Sequence, residues 1–122
     1  MPDDSVTTIN ELKQQVNKFV TAREWGKYHT AKNLTMSIAI EAAELMELYQ
    51  WTDNEQDDVE EANIEKCDRL QEELADVVIY CLSLANTAGI DVSTAIMNKL
   101  AANDSKYPVD KVKGKYTKYT DL

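Results

Sequence analysis

The sequence predicts an all-α protein, a four-helix bundle. Only three glycines and two prolines punctuate the 122 residues. Apolar residues recur at helical spacing in four segments, and no segment sustains the period-2 alternation of a half-buried strand. The length predicts one domain over residues 1–122, with its core across about 8–107 and a basic tail over 108–122.

Each helix has a start or stop signal. Thr8 followed three residues later by Glu11 is a capping box, and Ile9, Leu12, Val16, Phe19 and Val20 then fall on one face. This first helix is expected to end near Trp25 and Gly26, with "WGKYHTAKN" as a connector. A second helix is expected from about Asn33 to Gln50, and the polar "TDNEQDD" after Trp51 reads as a loop. The third begins between Asp57 and Cys67 and runs to Ala88, where Gly89 supplies the stop. Asp91 caps a fourth helix that must finish before Tyr107 and Pro108, because proline disfavours helix in the residue ahead of it.

The formal net charge of -9 argues against general nucleic-acid binding, which draws its affinity from Lys and Arg neutralising phosphates. It leaves room for one phosphorylated small molecule, since a bound divalent cation reverses the local field of a carboxylate-lined site. Residues 106–122 are the exception, with five basic and two acidic side chains. That tail is either a reach toward an anionic ligand or a solvated end. Cys67 and Cys81 lie 14 residues apart, against two to four for usual metal or redox pairs, and are expected to be reduced and structural. Without a leader pattern or a long apolar run, the protein is expected to be soluble, cytoplasmic and independent of membranes.

At about 100° per residue, Leu34, Ile38, Leu45 and Leu48 share one side of the second helix. Asn33, Ser37, Glu41 and Glu44 form a narrow polar stripe along one edge, while Glu47 points farther round toward solvent. The third helix repeats the arrangement: Leu70, Leu74, Val77, Val78, Cys81, Leu82 and Ala85 supply apolar bulk, and Glu73, Asp76, Tyr80, Ser83 and Thr87 share the polar stripe. Each helix thus carries an acidic pair at i, i+3, with both carboxylates on one face. Facing stripes would bring four carboxylates to the margin of an apolar core. Two unit charges about 4 Å apart repel by roughly 4 kcal/mol at an effective dielectric near 20. A hard cation removes that cost, and all-oxygen ligation suits Mg²⁺ or Mn²⁺. The competing reading makes these acids a solvated or partner-binding face of a non-catalytic module. A di-iron bundle needs a Glu-x-x-His motif on each of two helices, whereas His29 is the sole histidine.

Trp25 and Trp51 bracket the acidic helix, and Tyr80 lies one turn beyond Asp76. These rings are either core aromatics or the walls of a nucleobase pocket. On the fourth helix Lys99, Asn103 and Lys106 recur at i, i+4, i+7, offering two cations and an amide on one face, or simply a solvated one.

"EAAE" at 41–44 and "EELADVVIYCLSLA" at 72–85 resemble the two acidic halves of the MazG-like, all-α nucleoside triphosphate pyrophosphohydrolases. "REWGKYHTAKNL", "LYQW" and "KLAANDSKYP" are similar to the dCTP pyrophosphatase branch, and the resemblance spans about residues 9–108. It implies that Glu41, Glu44, Glu73 and Asp76 hold Mg²⁺, with Mn²⁺ as the alternative. It implies that Trp25 and Trp51 pack around the base, that Tyr80, Lys99 and Asn103 contact phosphate or sugar, and that Lys106, a second cation for the leaving pyrophosphate, and Tyr107 are further substrate-binding residues. The reaction implied is a nucleoside triphosphate plus water giving the monophosphate and pyrophosphate, with dCTP or a modified dCTP as substrate. Glu44 is then a candidate base for the attacking water, and Lys99 a catalytic cation. The resemblance also implies a homodimer or homotetramer. A sensor that binds nucleotide without turnover is the remaining alternative.

Overall fold

Helix α1, Ile9–Ala22, opens on the capping box. Glu11 N donates to Thr8 Oγ1 at 3.1 Å, and Thr8 N donates to Glu11 Oε2 at 3.2 Å, so two orphan donors of the first turn are satisfied reciprocally. The computed structural model describes residues 1–51 and 64–122, without the side chains of 64–66. The expected "TDNEQDD" loop and the segment leading into the third helix lie outside the described residues. All described elements are helical, as the sequence predicts: α2 is Ala31–Glu47, α3 Ile64–Ala88, α4 Val92–Lys106 and α5 the single turn Val109–Val112.

The first helix stops earlier than expected. It ends at Ala22, and Trp25–Tyr28 form a separate 3₁₀ turn. The break falls at Glu24, whose φ of 54° and ψ of 34° place a non-glycine residue in the left-handed region. The second helix starts two residues before the expected Asn33, because Thr30 is its N-cap and accepts from Asn33 N at 3.2 Å. It ends at Glu47, ahead of the expected Gln50. Gly89 at φ 66° stops α3, and Asp91 caps α4 by accepting from Thr94 N at 2.8 Å.

The chain divides into two compact units, Met1–Gly89 and Ile90–Leu122. In the first, α3 packs along both α2 and α1. Its core is small: Val20 from α1, Leu34 and Leu48 from α2 and its C-cap, and Leu82 and Ala85 from α3 are buried. Much of the remaining apolar surface is open. Met36, Ile40 and Met46 on α2, and Leu74 and Val78 on α3, are all exposed. In the second unit the Tyr107 and Tyr119 rings meet edge to face at 6.0 Å, and Lys106 Nζ lies 4.8 Å from the Tyr119 ring. Cys67 and Cys81 are both free thiols. No single described helix is long and apolar enough to cross a membrane.

Candidate active site

Two rows of the first unit converge. Glu41 leaves α2, and Glu73 and Asp76 leave α3 one turn apart, so the packing of these helices sets the distance between their acids. A carboxylate oxygen from each of the three lies within 4.8 Å of the others. Glu41 and Glu73 are half-buried and Asp76 is exposed. Their environment is unfavourable to charge. Burial, first, and then the neighbouring Glu44 push the Glu41 carboxyl above the ordinary carboxylate range, with Asp76 and Glu73 adding to the effect. Glu73 moves in the same direction, by burial and then by the charges of Glu44 and Asp76, against a weaker opposing pull from Arg69.

Glu44 lies close enough to both shifted acids to oppose their ionisation, although its own side chain is exposed. Glu47 is exposed, as its place on the wheel predicts. The Oε2 atoms of Glu41 and Glu73 are closed to solvent and have no hydrogen-bond partner among the described residues. An acceptor-only oxygen left in that state calls for a proton or a cation. Three carboxylates from two helices, two of them with orphaned buried oxygens, fit a hard divalent ion that ligates through oxygen.

Beside the acids an apolar cleft of about 690 Å³ opens between α1, the 3₁₀ turn and α3, with Val16, Phe19, Trp25, Asp76, Tyr80 and Ser83 among its lining residues. Asp76 therefore belongs both to the acidic cluster and to the cleft wall. Trp25 stands edge to face with Phe19, ring centroids 5.8 Å apart at 75°. Arg23 also packs on the Phe19 ring, with its Cζ 3.7 Å from the ring centroid and its Nη1 donating to the Phe19 carbonyl at 3.1 Å.

The structure thus brings together Glu41, Glu73, Asp76, Trp25 and Tyr80, with Glu44 adjacent. Trp51 is 89% exposed just past the end of α2 and does not line the cleft. Lys99, Asn103, Lys106 and Tyr107 belong to the second unit, where Lys99 and Lys106 are exposed and Asn103 and Tyr107 half-buried. Two features escaped the sequence reading. Phe19 was placed there only on the apolar face of the first helix, yet it is 49% exposed and lines the cleft. His29, treated as connector, places Nδ1 3.0 Å from the Oγ of buried Ser83.

Residues 36–122 match the MazG-like family. Bovine dCTP pyrophosphatase 1 is 33% identical over 118 residues, which is 97% of this chain and 70% of that protein. The human dCTP pyrophosphatase 1 is 34% identical over 116 residues, covering 94% of this chain and 68% of its own length. The crystal structure of a pyrophosphatase from Archaeoglobus fulgidus superposes with a TM-score of 0.69 at 36% identity, covering 88% of this chain and 99% of that one. Fold and site together define an all-α nucleotide pyrophosphatase, a hydrolase. The chain belongs to the MazG-like family. The reading of the acidic stripe as the face of a non-catalytic module gives way to that membership.

Proposed function

We propose that the protein hydrolyses a pyrimidine deoxynucleoside triphosphate, dCTP or a modified dCTP, to the monophosphate and pyrophosphate in a Mg²⁺-dependent reaction. The observation that carries this reading is the junction at Asp76, where a carboxylate cluster with two orphaned oxygens meets an aromatic-lined apolar cleft. A triphosphate needs charge compensation and a base needs an apolar wall, and here the two stand side by side. The dCTP assignment draws on the curated relatives and on the tryptophan-flanked motifs.

Glu41, Glu44, Glu73 and Asp76 would hold the cation through their carboxylate oxygens, with Mn²⁺ as the alternative ion. When bound, the ion supplies charge neutralisation at the α-phosphoryl group and orientation of the attacking water. Glu44, exposed beside the cluster, takes the proton of that water. Trp25, Phe19 and Tyr80 exclude solvent from the base and restrict its plane. By resemblance, Trp51 would join the base pocket, Lys99 and Asn103 would meet phosphate or sugar, Lys99 with Lys106 would balance charge on departing pyrophosphate, and Tyr107 would be a further substrate contact. We place the enzyme in the cytoplasm and read it as a homodimer or homotetramer; the exposed apolar side chains of α2 and α3 support the self-association.

Incubation of the purified protein with each deoxynucleoside triphosphate and Mg²⁺, with products resolved by anion exchange, tests the proposal. Pyrophosphate and a monophosphate are expected, fastest from dCTP or its modified forms. Release of orthophosphate, or no turnover of any triphosphate, overturns it.

A further inference from the structure

Ser83 is 5% exposed, yet it lines the apolar cleft and also a smaller polar cavity of about 140 Å³ behind it. Its Oγ lies 3.0 Å from His29 Nδ1. The connector that carries His29 is itself pinned to α3, because Thr87 Oγ1 donates to the His29 carbonyl at 3.3 Å. Thr87 thus holds the His29 backbone against α3, and the imidazole meets the Ser83 hydroxyl from that anchored position. Polar side chains on the cleft, apart from Asp76, are Gln15, Trp25, Tyr80 and Ser83. Of these only Ser83 is buried.

Position along α3 gives this hydroxyl a role. Asp76, Tyr80 and Ser83 stand at i, i+4 and i+7 on one face of the helix, and all three line the cleft. Seven residues at the helical rise separate Asp76 from Ser83 by roughly 10 Å along the axis. A nucleoside with its 5′ phosphate at the acids and its ring beside Tyr80 is of the length that brings the far edge of the base to Ser83.

A neutral imidazole nitrogen either donates or accepts, so it fixes the polarity of the hydroxyl it pairs with. If Nδ1 accepts, the serine proton is used toward His29 and Oγ presents only lone pairs to the cleft. A 4-amino group satisfies those lone pairs, whereas a 4-oxo group meets them acceptor to acceptor. We propose that Ser83, positioned by His29, contacts the edge of the base and sets the preference for a 4-amino over a 4-oxo pyrimidine. This rests on the cleft being the base pocket of the proposed function. Ser83 is the contacting residue, and His29 is a positioning residue that acts through it.

The test compares dCMP with dUMP by calorimetry in Mg²⁺, and dCTP with dUTP by hydrolysis, for the wild type, Ser83→Ala, His29→Leu and the double variant. Circular dichroism checks folding, and Ser83→Cys serves as a near-isosteric second variant. The wild type should favour the 4-amino ligand by about tenfold or more, and Ser83→Ala should narrow that ratio by about tenfold, the scale of one uncharged hydrogen bond. His29→Leu should narrow it as well, but add nothing once Ser83 is alanine. A wild type without preference, or a Ser83→Ala variant that weakens both ligands equally, overturns the inference. Discrimination between monophosphates that depends on Ser83, without hydrolysis of any triphosphate, sinks the proposed function and leaves this inference standing. Hydrolysis with a ratio indifferent to Ser83 does the reverse. Failure to bind or hydrolyse any of the four ligands overturns both.

Discussion

Glu41 on α2 and Glu73 on α3 each turn one carboxylate oxygen, Oε2, into a position closed to solvent and without a hydrogen-bond partner among the described residues. Both carboxyls are held above their ordinary range, by burial first and by Glu44 next. Two helices of a small core would not keep such a pair for packing alone. A buried acid without a partner opposes folding unless a proton or a cation completes it.

Removing one acid should therefore cost activity and not structure. Glu41→Gln and Asp76→Asn are each expected to lower metal-dependent turnover by about 100-fold or more, the scale of losing one electrostatic contact to a developing charge. Helical circular dichroism should be unchanged in both. Wild-type rates from both variants would contradict the ligand roles.

The metal-free chain should lose stability as pH rises. Glu41 and Glu73 have folded-state values raised above 4.5, so between that value and the raised ones the folded state binds more protons than the unfolded state. Their contribution is fully present below pH 4.5 and is lost as pH climbs through the raised values. Thermal melts in EDTA across this window should show the decline, and Glu41→Gln should flatten it. A Glu41→Gln profile parallel to that of the wild type would count against the assignment.

Divalent cations should act in the opposite sense. A ligand at 100 times its Kd stabilises by about 2.7 kcal/mol, which for a chain of this size raises Tm by about 10 °C. Differential scanning calorimetry with Mg²⁺, and then with excess chelator, measures the gain and its reversal. An unchanged Tm at saturating Mg²⁺ would remove the cation from the cluster.

Trp25 should contribute to substrate affinity more than to stability, being 44% exposed with its main ring contact to Phe19. Stacking on an aromatic is worth about 1–3 kcal/mol per base, so Trp25→Ala should raise KM by roughly 5- to 150-fold. The loss should be shared by all pyrimidine substrates. An unaltered KM would place the base elsewhere.

Glu24 carries a backbone conformation that costs an ordinary residue about 1–2 kcal/mol. Glycine adopts it freely but loses more entropy on folding. Glu24→Gly should accordingly raise Tm by about 2 °C. A fall in Tm would show that the Glu24 side chain contributes more than its backbone costs.

The acidic cluster was legible in the sequence because its acids lie along the edge of the apolar faces of the second and third helices. Against Leu34, Ile38 and Leu45, or Leu74, Val77 and Val78, a pair of acids at i, i+3 stands out, and helical periodicity places it on a definite edge. The capping box at Thr8 and Glu11, the Asp91 cap and the Gly89 stop were equally local, and each is present. The end of α1 was not legible, since "REWGKY" contains no residue that announces a left-handed turn at Glu24. Periodicity also says which face Phe19 occupies but not whether anything covers it. The His29 and Ser83 pair joins residues 54 apart in sequence, and no local pattern foretells such a contact.

One consequence follows from the raised acids when they are considered as a meeting place of two cations of different size. The proton that burial and Glu44 favour on Glu41 occupies the same oxygens that a divalent ion needs. In the acid range where Glu41 holds that proton, uptake of the proposed ion is an exchange, and it should acidify a weakly buffered solution. Heats of Mg²⁺ binding will differ between buffers in proportion to their ionisation enthalpies. Affinity for the proposed ion should then fall in acid, so that the fraction of protein carrying it would follow the local pH.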